Sequence, residues 1–161
     1  MQKIMPCLWY AKEVEEAARL YTSIFPDSRI TRITTLPSDT PSGPAGTVKI
    51  VDYVLLGQSF TAFCGGPLDP FNHAVSFTVY CDDQAELDRY WNAFLQHGGT
   101  AQQCGWLKDR YGLYWQIMPK RLGELISDPD RAKARRACDA MLTMVKLDIA
   151  QLEAAAEGRS G

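Results

Sequence analysis

A chain of 161 residues with a formal net charge of -2 and 22% charged residues has the composition of an ordinary globular protein. That balance lacks the basic excess on which nucleic-acid binding draws, and neither an apolar N-terminal leader nor an apolar run of about 18 residues is available to a membrane. The expectation is a soluble cytoplasmic protein with neither nucleic-acid nor membrane partners.

In chain order, residues 3–10 (KIMPCLWY) read as a strand that Pro6 keeps near an edge. A helix follows: Val14, Ala17, Ala18, Tyr21, Ile24 and Phe25 recur at threes and fours, forming one apolar stripe. Pro26 ends it. Residues 29–35 are β-branched and strand-like, 36–46 (LPSDTPSGPAG) have the composition of a mobile loop, and 47–56 form a strand. Gly57-Gln58 is a tight turn before the returning strand 59–64. Residues 65–72 (GGPLDPFN) make a linker.

The pattern then repeats. Residues 73–81 read as a strand in which Val75, Phe77 and Val79 alternate. Asp82 or Asp83 offers a helix cap, and Leu87, Tyr90, Trp91, Phe94 and Leu95 form the next stripe, ended by His97-Gly98-Gly99. A short strand and a hairpin around residues 108–112 complete the unit. The first strand and helix of the halves overlay without gaps at an offset of 70, with Tyr10 on Tyr80 and Tyr21 on Trp91; their closing hairpins match at an offset of 55, with Gly57 on Gly112 and Thr61 on Gln116. Beyond Pro119 the texture is helical. Ser127-Asp128-Pro129 reads as a helix start, its stripe running through Ala134, Ala137, Cys138, Met141, Leu142 and Val145, and Asp148 starts a last helix over 149–156. The expected fold class is α+β: two tandem βαβββ modules (3–65 and 73–119) with C-terminal helices (120–157), all within a single domain, 1–161.

Paired βαβββ units of this kind resemble the vicinal oxygen chelate superfamily of glyoxalases, bleomycin-resistance proteins and dioxygenases. The segments PCLWY (6–10), EEAARLYTSIFPDSRI (15–30), FTAFCGGP (60–67), FNHAVSFTVYCDD (71–83), CGWLKDRYGLYWQIMP (104–119) and SDPD (127–130) resemble its PhnB-like, demethylubiquinone methyltransferase-like branch. The resemblance implies strands curled into a half-open cup around a small-molecule site, and a homodimer. It also implies a divalent metal held by one residue from the first strand and one from the last strand of each module, usually His, Glu or Gln.

The pattern within each module places those ligand columns at Pro6 and Ser76, each 15 positions before the helix aromatic, and at Thr61 and Gln116, each four positions after the turn glycine. None is His, Asp or Glu, and hydroxyls with one amide suit a divalent transition metal poorly. A metal would rest on His73 and Gln116, so no cofactor is expected. By strand parity the cup lining includes Pro6, Leu8, Tyr10, Ser59, Thr61, Phe63, Ser76, Thr78, Tyr80, Tyr114, Gln116 and Met118, while Cys7, Trp9, Phe60, Val75, Phe77, Val79 and Trp115 pack beneath the helices. Leu8, Tyr10, Thr61, Phe63, His73, Ser76, Tyr114, Gln116 and Met118 are the candidate ligand contacts, with core filling as the competing role for the tyrosines.

The five cysteines (Cys7, Cys64, Cys81, Cys104 and Cys138) are odd in number and lack CxxC spacing, which argues for small interior thiols rather than a disulfide framework. Cys64 and Cys104, near turns, are either packed or reactive. Asp109 and Arg110 read as exposed turn charges. No glycine-rich strand-to-helix turn for a methyl-donor cofactor is present. Three functions remain open: a small-molecule binding protein, a metal-dependent lyase, isomerase or dioxygenase, and a methyltransferase.

Overall fold

The computed structural model describes residues 3–66 and 69–159. It divides into two compact units, Met1–Pro70 and Phe71–Gly161. Pro67 and Leu68 of the expected linker lie outside the described residues, as does the end of the tail.

The first unit runs β1 (Cys7–Tyr10), α1 (Val14–Ile24), β2 (Arg29–Thr35), β3 (Lys49–Leu55) and β4 (Gln58–Cys64). Its sheet has the order β1-β4-β3-β2, with β1 parallel to β4 and the other pairs antiparallel. The stripe Val14, Ala17, Ala18, Tyr21 and Ile24 is buried, as are Val51, Tyr53 and Leu55 of β3 and Phe60 and Ala62 of β4. Burying each large apolar side chain of such a core contributes roughly 1.5–3 kcal/mol. Between β3 and β4, Leu56 (φ 48°) and Gly57 (φ 85°) both take the left-handed conformation of a two-residue hairpin turn. The turn therefore sits one residue earlier than expected, with Gln58 already in the strand. Nothing lies within 4 Å of a Cβ built on Gly57, so its glycine answers to backbone conformation rather than to space.

The loop 36–46 is tied down rather than open. Thr40 and Gly43 exchange backbone hydrogen bonds (2.9 and 3.1 Å), and Gly46 N–H donates to the Leu36 carbonyl (2.7 Å). That local turn, rather than the strand, carries the chain to Val48.

The second unit runs β5 (Ser76–Cys81), α2 (Gln84–Gln96), β6 (Thr100–Ala101), β7 (Trp106–Lys108), β8 (Tyr114–Pro119), α3 (Lys120–Ile126), α4 (Arg131–Thr143) and α5 (Ile149–Ala156). Its sheet order, β5-β8-β7-β6 with β5 parallel to β8, repeats that of the first unit. Asp83 caps α2 by accepting the Glu86 N–H (2.8 Å), while the Glu86 carboxylate accepts the Asp82 N–H (2.7 Å). Leu87, Tyr90, Trp91 and Phe94 are its buried stripe.

The C-terminal helices depart from expectation in detail. Helix α4 is capped by Asp130, whose Oδ1 accepts from Ala132 and Lys133 N–H (2.9 and 3.2 Å), so 127–130 forms the turn out of α3 instead of a first helical turn. Leu142 (58% exposed) and Val145 (42%) fall outside the buried stripe, which Ala134 and Ala137 carry. Gln84 of α2 binds this region in both directions: its amide donates to the Leu147 carbonyl (3.1 Å) and accepts from Ile149 N–H (2.9 Å).

Candidate functional site

Each sheet has one face under its helix and one open face, and register assigns every side chain to one of them. In the first unit Cys7 pairs with Thr61, Trp9 with Phe63 and Asp52 with Thr61. Arg32 pairs with Asp52. The open face therefore carries the row Cys7, Thr61, Asp52, Arg32 across its four strands. Arg32 binds the Asp52 carboxylate at 2.7 Å. The Trp9 ring lies 4.5 Å from that of Phe63, and its indole donates to the Gly66 carbonyl (3.0 Å).

This corrects the expected lining in β1. Leu8 and Tyr10 are buried (7% and 3% exposed), and the Tyr10 hydroxyl hydrogen-bonds that of Tyr21 on α1 at 3.0 Å. They face the helix, whereas Cys7 and Trp9, expected beneath it, face outward. Residues 11–13 join β1 to α1, but only Asp82 and Asp83 join β5 to α2. A gapless overlay therefore slips β1 by one residue, and a one-residue slip exchanges the faces of a strand. Cys7, not Pro6, stands beside Thr61; Pro6 instead accepts the Thr61 N–H through its carbonyl (3.0 Å).

In the second unit the expected parity and the structure agree. Ser76, Thr78 and Tyr80 of β5 stand opposite Tyr114, Gln116 and Met118 of β8 on the open face. Phe77, Val79, Trp115 and Ile117 lie on the other, with Trp115 against Phe94 (5.0 Å between ring centroids) and Phe77 (5.6 Å). The Gln116 side-chain amide donates to Ser76 Oγ at 2.8 Å, so the two positions singled out in this module meet. Val75, in contrast, is 65% exposed and precedes the strand. His73 is also outside it, in a turn where alternation does not apply, and its ring meets Tyr114 edge-on at 5.6 Å.

Trp106 and Lys108, on the open face of this unit, went unrecognised in the sequence. Trp106 pairs with Gln116 and Lys108 with Tyr114. The alternation Trp106-Leu107-Lys108, with Leu107 fully buried, is the signal that identifies them. Asp52 was missed similarly: Val51, Tyr53 and Leu55 alternate inward and leave it outward.

Asp109 is another correction. It is 3% exposed, accepting Tyr111 N–H (2.9 Å) and Leu113 N–H (3.0 Å) at Oδ1 and the Trp115 indole N–H (3.0 Å) at Oδ2. A carboxylate with three donors is satisfied in place, unlike an exposed turn charge.

The thiols differ in their surroundings. Burial, and then the Asp52 carboxylate, raise the Cys7 thiol above its ordinary value. Burial, with Glu86 next in effect, pushes Cys81 up to about 12. Both shifts oppose thiolate formation. Cys64 lines a surface pocket of about 630 Å³ with Lys12, Arg19 and Lys49, but Arg19 and Lys49 already bind Glu15 (2.6 and 2.5 Å). Cys104 is half-buried at φ 58°, its N–H donated to the Met144 carbonyl (2.8 Å).

Among the described residues no three His, Cys, Asp or Glu side chains converge. The ligand columns, corrected at Cys7, offer a thiol beside a hydroxyl in the first unit, and in the second a hydroxyl with an amide already bonded to it. Neither pair fits a tightly held transition metal.

Residues 2–118 match the family model described as 3-demethylubiquinone-9 3-methyltransferase. The match ends before α3, so the C-terminal helices lie outside it. Among solved structures the chain is similar to a PhnB protein from Bacillus cereus, with 27% identity and a TM-score of 0.62 over 73% of this chain and 99% of that one. A protein from Pseudomonas aeruginosa (21% identity, TM-score 0.53, 71% and 95% covered) and the fosfomycin resistance protein FosX from Mesorhizobium loti (13%, 0.52, 71% and 90%) share the fold. The search of curated proteins gave no match.

Proposed function

The chain belongs to the 3-demethylubiquinone-9 3-methyltransferase family, a PhnB-like branch of the vicinal oxygen chelate fold, and we propose that it binds a small, partly aromatic molecule on the open sheet face of its second unit without a tightly held metal. The carrying observation is the Gln116–Ser76 hydrogen bond (2.8 Å). It holds an amide, with its carbonyl oxygen to offer a ligand, on a face walled by Trp106, Tyr114 and Tyr80. Aromatic walls with a few fixed polar groups suit a planar ligand held by few hydrogen bonds. Of the expected contacts, His73, Ser76, Tyr114, Gln116 and Met118 belong to this proposal. Thr61 and Phe63 lie on the first unit's own open face, where Cys7 and Trp9 take the places of Leu8 and Tyr10.

A second reading has one observation in its favour. Cys7 and Asp52 flank Thr61 on the same face, and a thiol and a carboxylate are metal-ligating groups. Against it, Asp52 is engaged by Arg32 and the Cys7 thiol is held protonated. Methyl transfer, named in the family description, has no strand-to-helix glycine turn to receive a donor cofactor. The homodimer and the cytoplasmic location belong to this proposal; no described helix is long and apolar enough to cross a membrane.

Metal analysis after purification from medium supplemented with zinc, manganese, nickel and iron separates the first two readings. Under about 0.1 metal per chain is expected; a stoichiometric metal supports the second. Calorimetry with S-adenosylmethionine tests the third: no heat at millimolar concentration removes it, and binding at micromolar affinity favours it over the first.

A further inference from the structure

The open face of the second unit is rich in donors, and none of the described strand residues on it is a carboxylate. Thr100, Trp106, Lys108, Tyr114, Gln116, Met118, Ser76, Thr78 and Tyr80 share it by register. Lys108 is the one cation among them. It is half-buried, and among the described residues it makes no ion pair, whereas Lys120, Lys133 and Lys146 in the same unit each bind an acid. The acids that directly follow the strands of this face are committed elsewhere. Asp109 is buried under the hairpin, holding three N–H donors, and Asp82, beyond the Tyr80 end, binds Lys120.

The neighbours of Lys108 set the shape of what it meets. Tyr114 stands directly across from it on β8 and Trp106 two residues along β7, about 7 Å away on the same face. The Trp106 indole N–H has no acceptor among the described residues, so it adds a second free donor beside the ammonium. A half-buried cation without a counter-ion, flanked by two aromatic rings and a free N–H, is complementary to an anion carried on a flat ring system. We propose that the ligand of this face is an anionic aromatic molecule, an arene carboxylate or phenolate in class. Its charged oxygen is held by Lys108 Nζ, and its ring lies against Trp106 and Tyr114. This rests on the reading of the open face as a ligand site and adds the charge of the ligand.

Calorimetric titration of the full chain with 2-naphthoate and with uncharged 2-naphthamide tests it. Naphthoate is expected to bind at least roughly tenfold more tightly at low salt, with the difference shrinking in 0.5 M NaCl. Lys108→Met should remove the preference and Lys108→Arg keep it, with thermal unfolding confirming that both variants are folded. Equal affinity for the two probes, or a preference untouched in K108M, overturns the anion assignment and leaves the ligand site standing. Failure of both probes at millimolar concentration overturns the site itself and this inference with it.

Discussion

Asp109 Oδ2 accepts the indole N–H of Trp115 at 3.0 Å, six residues along the chain and inside the core. The same carboxylate holds the hairpin backbone through Tyr111 and Leu113. Because Trp115 faces the helix, Gln116 must face the open side. The buried contact thereby orients the candidate ligand-binding amide.

Replacing Asp109 should be costly. Asp109→Ala leaves three N–H donors without their acceptor and should lower stability by about 3–5 kcal/mol. Asp109→Asn, which keeps one carbonyl oxygen, should cost about 1–3 kcal/mol. Urea unfolding measures both, and a loss below 0.5 kcal/mol in D109A would mean that solvent replaces these bonds.

Gln116 and Tyr10 should separate binding from packing. Gln116→Ala breaks one half-buried bond to Ser76 and should cost under about 1 kcal/mol of stability while weakening 2-naphthoate binding at least fivefold. Tyr10→Phe removes a hydroxyl buried against Tyr21 and should cost about 1 kcal/mol with binding unchanged. The reverse pattern in thermal unfolding and calorimetry would return Tyr10 to the ligand face.

Cys7 should be accessible yet slow. It is exposed, but burial of its thiol and the Asp52 charge raise its pKa. Alkylation by iodoacetamide, followed by peptide mass mapping, should therefore be slow at pH 7 and rise above pH 9. Asp52→Asn removes the unfavourable charge and should speed the pH 8 reaction severalfold. An unchanged rate in D52N would show that Asp52 has no influence on the thiol.

Cys81 predicts an alkaline weakness. Its thiol, at about 12 in the fold against an ordinary 9.0, stays protonated where the unfolded chain has lost its proton. The unfolded state then binds fewer protons, so stability falls as pH rises through that window. Between pH 8 and pH 10 the loss from this group should be about 1 kcal/mol. Comparing unfolding of the parent chain and Cys81→Ala at both pH values should show a shallower fall in the variant; parallel falls would contradict it.

The repeat, the element order and the helix stripes were legible because periods of two and 3.6 residues act locally. The second unit's faces followed from the same parity. The first strand did not, since the one-residue difference between the connections at 11–13 and at Asp82-Asp83 is invisible to polarity and decisive for orientation. Asp109 was misread for a related reason: a carboxylate beside a hairpin glycine looks solvated until the fold brings Trp115 back onto it. Lys108 lay in view, but only the pairing of β7 with β8 shows which rings it stands among.

Chemical-shift mapping of the isotope-labelled chain titrated with 2-naphthoate tests the central claim most directly. Shifts should concentrate in the amides of β5, β7 and β8 and in the Trp106 indole. Shifts confined to other elements, such as the groove of Ala140, Met144 and Ala154 along α4 and α5, or no shifts at millimolar probe, would contradict it.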